Sequence, residues 1–179
     1  MKIMVIAAHP HLNESRANRA LAAELQQRED LLYRDLYQEY PKWNINVERE
    51  QQLLLSYDRV IFQFPLYWYS CPPLLKKWFD DVLTFGWAFG TGGTQLKGKE
   101  FIVATTAGGS EKAYRSGGEN LYTISELLRP IQRTVTKCKG IYLPAFVTYN
   151  ANEGTDAYLA KEAVRFSEHI RTSIHALIS

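Results

Sequence analysis

RVIFQFPLYWYSCPPLLKKWFDDVLT, residues 59–84, changes its hydrophobic pattern at two prolines, and this change decides the fold. Residues 59–64 form a mostly apolar run, which is typical of a strand buried on both faces of a parallel sheet. Residues 73–84 instead place apolar side chains on one face of a helix, whose first turn tolerates proline because its amides have no helical partner. The stretch therefore predicts a strand, a loop over residues 65–71 and a helix.

The same alternation extends in both directions from this stretch. Apolar runs predict strands over residues 2–8, 30–37, 100–106 and 140–149, the last at a sheet edge because it contains Pro144. Helical spacing predicts helices over residues 16–27, 47–57, 124–135 (kinked at Pro130) and 159–177. Five strands alternating with five helices indicate an α/β fold: a doubly wound five-stranded parallel sheet in the order 2-1-3-4-5 with helices on both faces. No repeat or linker interrupts it, so we expect one domain over residues 1–179.

Composition excludes several classes of protein. The 179 residues are 46% hydrophobic and 22% charged, as in ordinary globular domains, and the net charge of +2 arises without a basic block, which argues against a nucleic-acid partner. Cys71 and Cys138 form no CxxC pair, which favours a reducing compartment. The first apolar run has only six residues before His9, too short for a signal peptide, so we expect a cytoplasmic protein.

In a doubly wound sheet, ligands bind beyond the carboxyl ends of the strands that flank the switch in winding direction. Here the loops over residues 9–18, 65–71 and 105–118 should converge at that edge. The first loop lacks both common glycine-rich nucleotide motifs. Ser15 is predicted to cap a helix whose first amides, those of Arg16, Ala17 and Asn18, would bind one phosphate; alternatively, Ser15 only caps the helix.

The other two loops suggest a flat ring as ligand. Residues Pro65, Leu66, Tyr67 and Trp68 combine backbone groups and ring faces that would hold a heterocycle such as a flavin, although aromatic runs commonly pack under helices instead. The third loop adds two threonine hydroxyls and two glycines that allow close approach. His9 and His11 have no further ligand cluster around them, so we expect no metal site.

Four motifs carry a resemblance to a known family: AHPHLNESRAN, FPLYWYSCPPLLKKWFDDV, GWAFGTGG and TTAGGSEKAY. Together they resemble the flavodoxin-like NAD(P)H:quinone oxidoreductases, especially the short bacterial general-stress and modulator-of-drug-activity type, over nearly the whole chain. The resemblance implies a flavodoxin-like fold and bound FMN, with FAD as the alternative. It also implies cofactor contacts at His9, Ser15, Arg16, Ala17, Asn18, Pro65, Leu66, Tyr67, Trp68, Thr105, Thr106, Ala107 and Gly108.

The resemblance also implies a homodimer whose partner completes the flavin pocket. Trp78, Phe79, Trp87 and Phe89 would then line the interface or the pocket, with core packing as the alternative for the first two. Longer relatives carry a tyrosine and, six residues on, a histidine that relay charge during hydride transfer. Tyr114 and Asn120 occupy these positions and are the candidate catalytic residues, but an amide cannot supply the proton of an imidazolium.

The function implied is ping-pong transfer of hydride from NAD(P)H through FMN to a quinone or similar flat acceptor. The alternative is an ancillary subunit of a glutathione-gated potassium efflux antiporter, a membrane partner, since such subunits resemble the chain over the same motifs. The choice between NADH and NADPH stays open: Arg16, Lys112 and Arg115 could meet a 2′-phosphate, or they could simply be solvated.

Overall fold

The computed structural model describes residues 1–178, and its centre is a parallel sheet. The strand order is β2 (Leu31–Asp35), β1 (Ile3–Ala7), β3 (Arg59–Pro65) and β4 (Glu100–Thr106). Beyond β4 lie two short strands, β5 (Ile141–Tyr142) and β6 (Phe146–Thr148), both paired with β4 in parallel. The predicted fold class and strand order are confirmed.

Helices cover both faces of the sheet. Their bounds are α1 (Arg16–Gln26), α2 (Leu36–Glu39), α3 (Val47–Ser56), α4 (Pro73–Val82), α5 (Ile124–Leu127), α6 (Arg129–Lys137), α7 (Asp156–His169) and α8 (Ile174–Ile178). The apolar faces of α1 and α7 bury one side of the sheet, and those of α3, α4 and α6 bury the other. This arrangement leaves the carboxyl ends of β1, β3 and β4 on one common edge.

The predicted strand over residues 140–149 is wrong in its extent, although its position at the sheet edge is right. Leu143 still donates its amide to the Phe101 carbonyl at 2.8 Å, but Pro144 has no amide to donate. The ladder therefore breaks at Pro144 and resumes at β6.

Two predicted helices are each divided in two. The helix over residues 124–135 is not kinked at Pro130; α5 ends at Leu127 and α6 begins afresh with Pro130 in its first turn, where a missing amide costs nothing. The final helix ends at His169, and α8 begins at Ile174. The apolar spacing in the sequence continues across the break because Ile174 and Leu177 pack against the same apolar cluster as the buried side chains of α7.

Trp78 and Phe79 belong to the chain's own core rather than to an exposed interface. Trp78 is fully buried, and its ring meets that of Phe62 edge-to-face at 5.6 Å. Phe79 meets the same ring at 4.9 Å. Trp87 and Phe89 are half-buried and pack against this cluster from outside.

A buried carboxylate joins four elements on that face of the sheet. Glu50 accepts two hydrogen bonds from the Arg34 guanidinium at 2.7 Å each, one from the Tyr40 hydroxyl at 2.5 Å and one from the Trp78 indole at 2.8 Å. Burial alone would raise the pKa of Glu50, but the hydrogen bonds, foremost those from Arg34, outweigh burial and lower it. The network fixes α4, which begins directly after the loop over residues 65–72.

Replacing Glu50 with Gln should destabilise the protein by about 3 kcal/mol at pH 7, because the buried Arg34 loses its buried charged partner and keeps only the more distant Glu39 carboxylate at 3.5 Å. Glu50 has a lowered pKa in the folded state, so its stabilising effect is present above the unfolded pKa and is lost as the pH falls below about 4. Urea unfolding should therefore show a gap between the wild type and E50Q that narrows in acid. The control is E48Q, on the exposed side of the same helix; equal stability of the two variants would contradict the role of the network.

Candidate functional site

The three predicted loops meet at the carboxyl edge of the sheet. The His9 and Tyr67 rings lie edge-to-face at 6.3 Å, which joins the first loop to the second. The Leu66 amide donates to the Thr106 carbonyl at 2.9 Å, which joins the second to the third. The Asn18 side-chain amide donates to the Thr106 hydroxyl at 2.9 Å and so joins the first to the third.

The start of α1 offers unpaired amides to an anion. The Ser15 hydroxyl caps the helix by accepting from the backbone amide of Asn18 at 3.3 Å and from its side chain at 3.1 Å. The amides of Arg16 and Ala17 have no acceptor within residues 1–178. These donors coincide with the positive end of the helix dipole, which is a suitable place for one phosphate group.

The Arg16 side chain is engaged elsewhere. Its guanidinium forms an ion pair with Asp156 at 2.6 Å, at the start of α7, and donates to the Asn152 carbonyl at 3.5 Å. The group that Arg16 offers freely is therefore its amide, while its side chain ties α1 to α7.

A hydrogen bond within the first loop determines which ring nitrogen of His9 carries the proton. Its Nδ1 accepts from the His11 amide at 3.0 Å, so in the neutral ring the proton is on Nε2. Burial lowers the pKa of His9, and the nearby His11 lowers it further. At neutral pH the ring is therefore an uncharged donor.

The second loop contains a strained two-residue turn. The amides of Tyr67 and Ser70 each donate to the other residue's carbonyl, at 3.0 and 2.9 Å. Trp68 and Tyr69 between them have φ values of +45° and +61°, a conformation that hairpins normally give to Asn and Gly. Trp68 is 92% exposed. Strain of this kind is held in place by its surroundings and concentrates at binding sites. Pro65 itself is buried at the end of β3.

The third loop is held in place by hydrogen bonds to residues 148–150. Ala107 donates to the Thr148 carbonyl at 2.8 Å, and the Asn150 amide donates to the Gly109 carbonyl at 3.0 Å. A Cβ at Gly108 would lie 2.9 Å from the Asn152 side chain. Thr105 and Ala107 are fully buried, and the amide and the carbonyl of Ala107 are both paired within the chain, so neither of these two predicted contact residues is exposed to a ligand. The amide of Gly108 has no acceptor in the described chain, whereas that of Gly109 interacts with the Tyr114 hydroxyl.

Tyr114 and Asn120, the predicted catalytic pair, lie on the same rim. A Cβ at Gly109 would lie 3.2 Å from the Tyr114 ring and 3.7 Å from the Asn120 side-chain nitrogen. Asn120 accepts a hydrogen bond from the Tyr69 hydroxyl at 3.3 Å. Burial raises the pKa of Tyr114, and the neighbouring Tyr69 raises it further, so its hydroxyl stays protonated at neutral pH.

Several residues at this edge were missed by the sequence analysis. Tyr69 bridges two loops, and Asn150 and Asn152 frame the third loop. Gln63 is a polar residue inside an apolar strand, a signal that could have been read: its side chain donates to the Asn18 carbonyl at 3.4 Å while its Oε1 is buried without a partner. The asparagines follow β6 in a loop with no recognisable motif.

Unpaired donors at both ends of the site suit a phosphorylated flat heterocycle such as FMN. The helix end offers the amides of Arg16 and Ala17, and the ring end offers that of Gly108 between the turn and the Tyr114 rim. Within residues 1–178 there is no group of three or more His, Cys, Asp or Glu side chains that could hold a metal ion. Over the same residues no helix has the length and apolarity to cross a membrane.

Named relatives cover nearly all of the chain. General stress protein 14 of Bacillus subtilis is 50% identical over 96% of this chain and 98% of its own length. The NAD(P)H oxidoreductase YrkL of the same organism, whose name carries the word uncharacterized, is 52% identical over 93% of each chain. The glutathione-regulated potassium-efflux system ancillary protein KefG of Serratia proteamaculans is 40% identical over 97% of this chain and 94% of its own.

Solved structures are similar over the same extent. General stress protein 14 of Treponema denticola, in complex with FMN, has a TM-score of 0.91 at 33% identity over 95% of this chain and 98% of its own. The NADPH-quinone reductase of P. pentosaceus has a TM-score of 0.88 at 33% identity over 97% and 99%. A chain described as a tryptophan halogenase from Streptomycin violaceusniger has a TM-score of 0.93 at 52% identity over 95% and 99%. A family model described as "Flavodoxin-like fold" matches residues 1–170, and the chain belongs to that family.

Proposed function

We propose that the chain is an FMN-dependent NAD(P)H:quinone oxidoreductase. The observation that carries the proposal is the convergence of three loops, with free amide donors at a helix N-terminus on one side and the free Gly108 amide on the other. The same conclusion is supported by relatives named NAD(P)H oxidoreductase and NADPH-quinone reductase. The name halogenase describes a different reaction from these.

The cofactor proposed is FMN rather than FAD, in keeping with the FMN complex of the Treponema relative. The amides of Arg16 and Ala17, the Ser15 region and the neutral His9 would hold its phosphate. The ring would lie between the turn over residues 65–69 and the loop over residues 105–109. When bound, FMN accepts a hydride from NAD(P)H and transfers two electrons to the acceptor.

The chain's own residues would orient the reactants and bind developing charge. Asn120 has its carbonyl oxygen engaged by the Tyr69 hydroxyl, so we assign it to positioning Tyr69 rather than to proton transfer. Tyr114, protonated and beside Gly109, would donate a hydrogen bond at the ring edge. Donor and acceptor would use the same face in turn, which gives ping-pong kinetics. A flat slot of this kind admits quinones and other planar acceptors.

A homodimer is part of the proposal, formed by the apolar surface around the mouth of the site. Large exposed side chains surround that mouth: Trp68, Tyr69, Phe85, Leu121 and Tyr122. Tyr69 is tied to Asn120, the residue before Leu121, and Phe85 borders a groove shared with Ser70. Several large exposed apolar side chains beside a binding site are typical of a protein interface, and a second copy would close the site from above.

A second candidate function is an ancillary role in a potassium efflux system, at a membrane antiporter on its cytoplasmic side. The 40% identity to KefG over nearly the whole chain favours it. Reductase activity and an ancillary role are compatible in one protein. Restoration of glutathione-gated potassium efflux by this chain, in cells that carry the antiporter alone, would support the second role.

Protein loaded with FMN should oxidise NADPH or NADH when benzoquinone is supplied. Initial rates measured over a grid of both substrates should give parallel double-reciprocal lines, because the reactants alternate at one face. A preparation that binds FMN yet oxidises neither nucleotide with any of several quinones would overturn the proposed activity.

The phosphate end can be tested with a matched pair at Arg16. R16P removes the amide, and proline is tolerated there because Arg16 is the first helical residue and Ser15 is already extended (φ −87°, ψ 110°). R16A loses the same side chain but keeps the amide. FMN affinity, measured by fluorescence quenching, should be about tenfold weaker in R16P than in R16A, as for one lost hydrogen bond to a charged group. Riboflavin, which has no phosphate, should bind both variants equally; equal FMN affinities would contradict the assignment.

Introducing charge into the apolar surface should prevent dimer formation. Sedimentation velocity should give a dimer for the wild type and a monomer for F85D/L121D, because two buried unpaired carboxylates would oppose association. L55D, at an exposed leucine on α3, serves as the control and should stay dimeric. A wild-type monomer at micromolar concentration in the presence of FMN would contradict the homodimer.

A further inference from the structure

A cavity of about 950 Å³ opens beside the proposed ring site. It runs along the free edge of the sheet, between the segment over residues 142–149 and the helices α5 and α6. Apolar side chains form much of its wall, with the rings of Tyr142 and Tyr149 among them. The volume is in the range of sites for small organic ligands.

Tyr114 belongs to both sites. On one side its ring lies next to Gly109 in the third loop, and on the other it lines the cavity. Its ring centroid lies 6.2 Å from that of Tyr149, farther along the cavity wall. A ligand with one end on the cofactor ring could therefore continue past Tyr114 into the cavity without crossing the body of the protein.

The rim of the cavity is positively charged on balance. Lys112 and Arg115 line it together with one carboxylate, Glu111. Both cations are exposed, and neither is paired with a carboxylate within the described chain. Exposed cations alone would mean little, since most are simply solvated. Here they stand at the entrance of a concave, ring-lined site beside the cofactor edge.

These features match the adenosine half of a dinucleotide. Tyrosine rings offer stacking surfaces to a purine base, and Gln132 and Thr123 add polar atoms to the wall. NADPH differs from NADH only by a phosphate on the adenosine ribose. Arginine and lysine are the residues that bind such a dianion, the former through two parallel hydrogen bonds.

We propose that this edge cavity binds the phosphorylated adenosine end of NADPH, with Lys112 and Arg115 on its 2′-phosphate, and that the enzyme therefore prefers NADPH to NADH. The inference rests on the proposed reductase function and deepens it. It assigns to the cavity the choice of electron donor, whereas the residues around FMN carry out the transfer.

The donor preference tests the inference in the FMN-loaded enzyme. K112A/R115A should raise KM for NADPH by about 100-fold, the size expected for two lost contacts to a charged group at about tenfold each. KM for NADH and the kcat with either donor should change less than about twofold. K161A, which removes an exposed charge from α7, should leave both KM values unchanged. Equal effects on the two donors, or no effect on either, would overturn the inference while leaving the reductase function intact.

Direct binding provides a readout that does not depend on turnover. Adenosine 2′,5′-bisphosphate carries the distinguishing phosphate but no nicotinamide. By calorimetry it should bind the FMN-loaded wild type and compete with NADPH, and its affinity should fall at least tenfold in K112A/R115A. Unchanged affinity in the double variant would place the 2′-phosphate elsewhere and overturn the inference. If the FMN-loaded wild type oxidised neither nucleotide, this would instead contradict the proposed reductase function.

Discussion

The buried Glu50 carboxylate is the interaction on which the position of the binding edge depends. A charge with no exposure to water is stable only if strong donors satisfy it, and Arg34, Tyr40 and Trp78 do so from β2, the end of α2 and α4. Trp78 thereby fixes α4 against the sheet. The loop over residues 65–72 is thus held at both ends, by pairing of β3 with β4 before it and by α4 after it. A loop fixed in this way can hold Trp68 and Tyr69 at positive φ, at a cost of roughly 1–3 kcal/mol each.

The hydrogen-bond donors at the two ends of the proposed cofactor site come from different kinds of backbone structure. At α1 the donors come from regular structure: every helix leaves its first amides unpaired, and a capping serine leaves those of Arg16 and Ala17 open. At the ring end the free Gly108 amide lies in irregular backbone, which is held in place because Ala107 bonds to the end of β6 and Gly109 bonds to Asn150. The first arrangement depends on little besides the helix. The second depends on contacts between segments far apart in the chain, so it is the more sensitive to changes elsewhere.

Features set by local pattern could be predicted from the sequence. The alternation of five strands with five helices predicted the strand order and the converging loops, and Ser15 caps α1 as its position suggests. Features set by tertiary contact could not. Nothing in the spacing of Asn152 or Asp156 indicates that they meet Gly108 and Arg16. The role of Tyr69 was hidden because three neighbouring rings look alike in sequence; in the structure all three are exposed, and Tyr69 bonds to Asn120.

Pro144, which divides the predicted fifth strand, also lines the edge cavity. Because Pro144 interrupts the ladder, the sheet edge between β5 and β6 has an unpaired stretch where Pro144 and Ala145 form part of the cavity wall. A continuous strand would expose a regular row of amides and carbonyls there and invite pairing with another chain. The interruption instead leaves a concave, mostly apolar surface that begins at Tyr114. An edge that is blunted against aggregation can in this way provide room for the part of a dinucleotide that takes no part in the chemistry.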